Sequence, residues 1–151
     1  MSNVRYTIEQ QKIIDIDDKN ILVSAAAGSG KTTVLARRIL RLIAEKKADI
    51  TEMLIVTFTD AAAGEMRARI QKLIKQEIYD GNDTEFFSSQ LEKMPISDIS
   101  TLHSFCMDIL RKNFNQAEIS PAFKIARSSV ISIFKNESAE EVLEKYFENG
   151  D

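Results

Sequence analysis

Along the first half of the chain the apolar positions change period several times. Residues 7–17 place Ile13, Ile14 and Ile16 on one side of a short helix, and Ile21, Leu22 and Val23 then run together, as in a strand buried on both faces over residues 21–24. From residue 31 to 46, Val34, Leu35, Ile39, Leu42 and Ile43 recur three and four apart, which predicts an amphipathic helix. Residues 53–57 read as another buried strand. A helix over residues 60–78 follows, with Ala63, Met66, Ile70, Leu73, Ile74 and Ile78 as its stripe. The polar stretch DGNDTEFFSSQLEKMP, residues 80–95, is a connection with room for one short helix. A weaker strand over 97–101 leads into a helix over 102–114. Residues 115–121 interrupt the pattern, SSVISIFKN shows no readable period, and residues 138–147 form a last amphipathic helix. Strand followed by helix, three times over, builds a parallel sheet with right-handed crossovers, so the expected class is α/β.

The turn between the first strand and its helix carries the chemistry. In SAAAGSGKTT the pattern G-x-x-x-x-G-K-[ST] is met at Gly30, Lys31 and Thr32, whereas its first glycine is replaced by Ala25. Gly28 and Gly30 let the backbone turn tightly, so that N–H groups converge at the positive end of the helix that follows. Ala25 is acceptable wherever that position keeps an ordinary backbone conformation. The cradle then comprises Ala25, Ala26, Ala27, Gly28, Ser29, Gly30, Lys31, Thr32 and Thr33. The expected cofactors are ATP and Mg²⁺. Lys31 would reach the β- and γ-phosphates and the hydroxyl of Thr32 would hold the metal, which makes these two the catalytic candidates. The competing reading is a Gly-Ser-Gly turn with an unrelated Lys-Thr, and the order of strand, turn and helix favours the cradle.

Composition narrows the setting. With 151 residues, 44% of them hydrophobic, the chain can bury a core of about one domain. One cysteine leaves no internal disulfide framework, and no apolar run approaches the roughly 20 residues of a membrane span, so a reducing, cytoplasmic setting without membrane contact is expected. The net charge of −3 argues against a generic nucleic-acid coat protein. Charge is nonetheless polarised. Arg37, Arg38, Arg41, Lys46, Lys47, Arg67, Arg69, Lys72 and Lys75 precede a tail loaded with Glu137, Glu140, Glu141, Glu144, Glu148 and Asp151. Solvated helix faces and a nucleic-acid footprint both account for the basic half.

Three further stretches accompany the cradle: YTIEQ at residues 6–10, TFTDAAAGEMRARI at 57–70 and STLHSFCMDILR at 100–111. In order and spacing, all four resemble the first motifs of superfamily 1A DNA helicases of the UvrD/Rep/PcrA type. The resemblance is strongest to the AddA-type helicase–nuclease family, through AAAGSGKT, ISTLHSFC and PAFKIA, and it covers most of residues 5–145. That family commonly has a small non-glycine residue where Ala25 stands. The resemblance makes Gln10 the residue that reads the adenine edge, although Thr7-x-x-Gln10 is also a capping box. It makes Phe58 a platform on which a single-stranded base stacks, against the alternative of a core residue at a strand end. Thr57, Thr59 and Asp60 would shape the backbone path of the strand. Asp60 usually corresponds to Asn in the relatives, and it could equally cap the following helix.

His103, the only histidine, matches a residue beside the DNA path. It is read with Ser104 as a polar or phosphate contact. Cys106 is in register with Leu102, Ile109 and Leu110 and is expected in the core. Thr33 stands where many relatives carry an arginine near the nucleotide, so that contact is not carried over.

A helicase of this kind also needs an acidic pair for Mg²⁺ and arginine fingers from a second motor domain. Neither is recognisable here. Asp60, after a buried strand, is the nearest local acid, and the resemblance assigns it to DNA instead. The implied architecture is an incomplete RecA-like motor domain 1A over residues 1–114, a parallel-sheet P-loop NTPase, with residues 115–151 opening a helical inserted subdomain. The implied function is ATP-dependent movement on single-stranded DNA within a longer helicase–nuclease. The implied partners are single-stranded and duplex-end DNA and a companion nuclease subunit. The alternatives are a self-contained small P-loop kinase or regulatory NTPase, and a binding module with a degenerate cradle.

Overall fold

The computed structural model describes residues 5–17, 19–26 and 28–148. The chain divides into two compact units, Met1–Asp108 and Ile109–Asp151. The first is α/β. Its elements are helix α1 (Ile8–Asp15), helix α2 (Lys31–Ala44), strand β1 (Leu54–Thr57), helix α3 (Asp60–Tyr79), helix α4 (Thr84–Lys93), strand β2 (Asp98–Thr101) and the start of helix α5 (Leu102–Lys112). Single 3₁₀ turns, Ile50–Glu52 and Met94–Ile96, lead into the two strands.

β1 and β2 pair in parallel, with Ile55 opposite Ile99 and Thr57 opposite Thr101. Such pairing needs a crossover, and α3 with α4 supplies it. The shared face of Ile55 and Ile99 is buried against the apolar stripes of the helices: Ala36, Ile39, Leu40 and Ile43 from α2, Met66, Ile70 and Ile74 from α3, and Phe87 from α4. Four of the six stripe residues expected for α3 are buried, and Leu73 and Ile78 pack partly against the same cluster. The opposite face of β1 is open, with Leu54 and Val56 exposed.

Polar side chains fasten this layer. Asp49 caps the turn before β1, accepting from the Thr51 N–H at 3.0 Å, while the Glu52 carboxylate accepts from the Asp49 N–H at 2.8 Å. The buried Gln90 amide accepts from Ile50 N–H at 3.0 Å and donates to Asp49 Oδ2 at 2.8 Å. With the Lys93 ammonium 2.5 Å from the same carboxylate, the Asp49 carboxyl is held well below the usual carboxylate range.

Two expectations are corrected here. Residues 21–24 join no ladder, and Leu22 and Val23 are exposed. A strand exists only as part of a sheet, and the two available strands pair with each other. An apolar run states a preference for burial without supplying a partner. Cys106 is exposed, as are Leu102, Ile109 and Leu110. The spacing of α5 is that of a helix with an apolar face, but no residue of α5 is buried.

In the second unit, the chain turns after α5 through residues 113–119, with Glu118 in the left-handed region at φ 52° and Ile119 N–H bonded back to Phe114 O at 3.2 Å. The Arg111 guanidinium lies 6.0 Å over the Phe123 ring. One continuous helix, α6 (Ser128–Glu148), then takes in both SSVISIFKN and the expected 138–147 helix. None of its residues is buried. The helical period is faint in its first half because Val130, Ile131, Ile133 and Phe134 are distributed around the helix.

Candidate functional site

The cradle is built by loop and helix together. Gly28 and Gly30 adopt φ of 78° and 84°, a region that only glycine enters without cost, and Gly30 is the N-cap of α2. No side chain caps that N-terminus, so the first-turn N–H groups of Lys31, Thr32 and Thr33 are left open to an anion. The Lys31 ammonium turns back into the loop, 2.6 Å from both the Ala25 and Ala26 carbonyl oxygens. Ala27 lies outside the described residues. The geometry forms without a strand before it.

Beside the loop lies α1. Its capping box is complete: Thr7 Oγ1 accepts from Gln10 N–H at 3.2 Å, and Gln10 Oε1 accepts from Thr7 N–H at 3.0 Å. The same amide's Nε2 donates to Ser29 O at 3.1 Å, which ties α1 to the cradle. Capping and cradle contact therefore coexist on one side chain, each using one end of the amide. Between α1, the loop and α2 opens a cleft of about 490 Å³, with Ile13, Val23 and Leu35 as apolar wall and Gln10, Lys31 and Arg38 as polar points. This is the mixture expected of a ligand pocket. The cradle's donor set suits polyphosphate, and the exposed Thr32 hydroxyl suits a metal ion carried by that phosphate. No cluster of three or more His, Cys, Asp or Glu able to hold a metal exists among the described residues.

The second group of residues lies at the carboxyl edge of the paired strands. Because Thr57 is opposite Thr101, the loop at Phe58 and the start of α5 at Leu102 leave the sheet side by side. Phe58 is fully exposed, which rules out the core reading. Thr57 Oγ1 donates to Thr59 O at 2.9 Å, and Thr59 caps α3 by accepting from Ala62 N–H at 3.1 Å. Asp60 is thus the first residue of α3, where its charge meets the positive end of the helix, and the cap is its neighbour. In the first turn of α5, His103 is exposed. Ser104 N–H donates to Thr101 Oγ1 at 3.2 Å, and the Thr101 hydroxyl donates to Ser104 Oγ at 2.9 Å.

Most of the basic residues turn inward to partners in the chain. Arg67 Nη1 donates to Met94 O at 2.5 Å and Ser97 Oγ at 3.2 Å, and its Nη2 donates to Ile99 O at 3.0 Å, so that α3 grips the start of β2. Arg69 Nη1 donates to Thr33 Oγ1 at 2.7 Å, joining α3 to the cradle helix. Arg38 bonds carbonyls at the end of α1. Arg41 and Lys47 both pair with Asp17, whose carboxyl they hold far below its usual range, Arg41 foremost. Arg37 lies 3.7 Å from Glu77, and Lys46 lies 3.0 Å from Asp83. Charge spacing did not identify these partners, which come from other elements and are brought close only by the tertiary fold. A footprint made of the whole basic half is therefore set aside.

A phosphate-type cradle beside an α/β layer, with an aromatic and a histidine on the edge of its parallel strands, matches the UvrD/REP helicase N-terminal domain over residues 6–150, and the chain belongs to that family. It is similar to proteins named as the AddA component of an ATP-dependent helicase/nuclease. Identity is 46% over 145 residues with that of Syntrophomonas wolfei, 44% over 147 with that of Alkaliphilus oremlandii and 41% over 153 with that of Clostridioides difficile. These matches take in 96%, 97% and 100% of this chain, which spans 12% of the length of each relative. No helix among the described residues is long and apolar enough to cross a membrane.

Proposed function

We propose that residues 1–114 form the ATP-binding opening part of an incomplete RecA-like motor domain, and that residues 115–151 begin an inserted helical subdomain. In a full-length protein of this kind, ATP hydrolysis drives movement on single-stranded DNA from duplex ends, within a cytoplasmic helicase–nuclease that repairs double-strand breaks together with a companion nuclease subunit. The observation that carries this reading is the cradle itself: two positive-φ glycines, an uncapped α2 N-terminus and the Lys31 ammonium converging on one concavity. ATP and Mg²⁺ are the cofactors. Lys31 and Thr32 engage the phosphates and the metal, with Ala25, Ala26, Ala27, Gly28, Ser29, Gly30 and Thr33 lining the cradle and Gln10 reading the base. On the strand edge, Phe58 stacks a base, Thr57, Thr59 and Asp60 shape the path, and His103 with Ser104 contacts the backbone. The segment alone, without an acidic pair for metal and water, binds nucleotide weakly and turns it over slowly or not at all.

Steady-state phosphate release by a full-length protein containing this segment tests the reading. Oligonucleotide is expected to stimulate wild-type turnover, Lys31→Ala to abolish it, and Phe58→Ala or His103→Ala to leave nucleotide binding intact while blunting the stimulation. Turnover indifferent to DNA across a range of salt would sink the motor and favour a self-contained NTPase.

A further inference from the structure

We propose that Arg38 is a positioning residue for the base-reading end of the nucleotide cleft, acting through α1 and Gln10. The inference rests on the nucleotide reading above and deepens it.

α1 has only eight residues, well short of the roughly 12–15 at which a helix becomes even marginally stable alone. Its placement must come from outside. At its N-terminus the Thr7–Gln10 box closes the backbone, and Ile14 is its one buried side chain. At its C-terminus the last carbonyls have no partner within the helix. Arg38 supplies one: Nη1 donates to Ile13 O at 2.8 Å, to Ile14 O at 3.4 Å and to Ile16 O. A guanidinium at that end also opposes the negative pole of the helix.

Arg38 stands two turns along α2 from Lys31, on the same rigid element. Lys31 serves the phosphate end of the cleft. Gln10, at the far end of α1, serves the base end and touches the cradle through Ser29 O. The two ends therefore have separate supports. The phosphate end is held by the backbone of residues 28–33. The base end depends on α1, hence on Arg38. The Asp17 cluster with Arg41 and Lys47 still anchors the chain beyond α1, so losing Arg38 loosens the helix without freeing the segment.

The test separates base from phosphate recognition. Mg–ATP, Mg–GTP and Mg–tripolyphosphate are titrated calorimetrically against the full chain as wild type, Arg38→Gln, Arg38→Lys, Gln10→Ala and the Arg38→Gln/Gln10→Ala double variant. Wild type is expected to favour ATP over GTP. Arg38→Gln should reduce that ratio about two- to tenfold, the equivalent of a lost hydrogen bond, at unchanged tripolyphosphate affinity. Gln10→Ala should match it, and the double variant should lose nothing more, because both changes act on one contact. Arg38→Lys, which keeps the charge on a shorter reach, should fall between.

A wild-type ratio in Arg38→Gln overturns the proposal, and a wild-type ratio in Arg38→Lys does so if the glutamine variant fails to fold. An equal loss for all three ligands also overturns it, because it would mean direct phosphate contact or general loosening. A wild-type protein that does not distinguish ATP from GTP removes the base role of Gln10 itself and the proposal with it.

Discussion

The cradle loop and the strand edge are held by opposite means. Residues 21–30 belong to no ladder and are mostly exposed. Two glycine conformations, one helix N-terminus and the side-chain bonds of Gln10 and Lys31 fix them. The edge at residues 57–60 and 101–104 ends a hydrogen-bonded pair of strands backed by buried Ile55 and Ile99 and gripped by Arg67. One is shaped by local chemistry, the other by tertiary packing. Substitutions in the loop should therefore register mainly in ligand binding, and those behind the edge in stability.

The largest effect expected behind the edge is that of Arg67→Met. It leaves the Met94 and Ile99 carbonyls and the Ser97 hydroxyl without their charged donor, at a cost of roughly 2–3 kcal/mol in urea unfolding. A change of only a few tenths would mean that water replaces the guanidinium freely and that the edge is less dependent on packing than the contrast holds. Phe58→Ala should divide the edge from its support. Being fully exposed, Phe58 contributes nothing measurable to unfolding, yet its loss should weaken single-stranded DNA binding by about 1–3 kcal/mol. Phe58→Leu should not restore that binding, because a leucine offers no stacking face. Recovery with leucine would refute the stack.

The smallest effect is in acid. The folded-state carboxyls of Asp49 and Asp17 titrate below their ordinary value of 3.8, through Lys93 and Arg41 respectively as the leading causes. The unfolded chain then binds more protons as pH falls below about 5, so the stability these pairs contribute is present above that window and is lost progressively beneath it. Both sit near solvent, which keeps the effect modest. Asp49→Asn should flatten the acid limb of a pH–melting curve. An unchanged limb would mean that the carboxylate is equally favoured in the unfolded chain.

How much of this was legible in the sequence follows the same division. Thr7-x-x-Gln10, Gly28, Gly30 and Lys31 act over a few residues, and their geometry could be read directly from spacing. The α2 and α3 stripes were legible because three- and four-residue recurrence is itself the signature of a helix against a core. The apolar run at residues 21–23 and Cys106 misled for one reason. Apolar character records a demand for burial, and whether a neighbour meets it is a property of the fold. Arg38, Arg67 and Arg69 were visible only as charges, since the carbonyls and hydroxyl they bond come from other elements.

The open face of β1 has a colloidal consequence. A parallel pair of strands is ordinarily covered on both sides and flanked by further strands. Here Leu54 and Val56 are exposed, and a two-stranded sheet has two free edges of backbone donors and acceptors. Such edges template pairing with another chain. Handled as an isolated segment, these residues should associate sheet to sheet as concentration rises, with a second-order dependence that charge alone, at a net −3, is too weak to suppress.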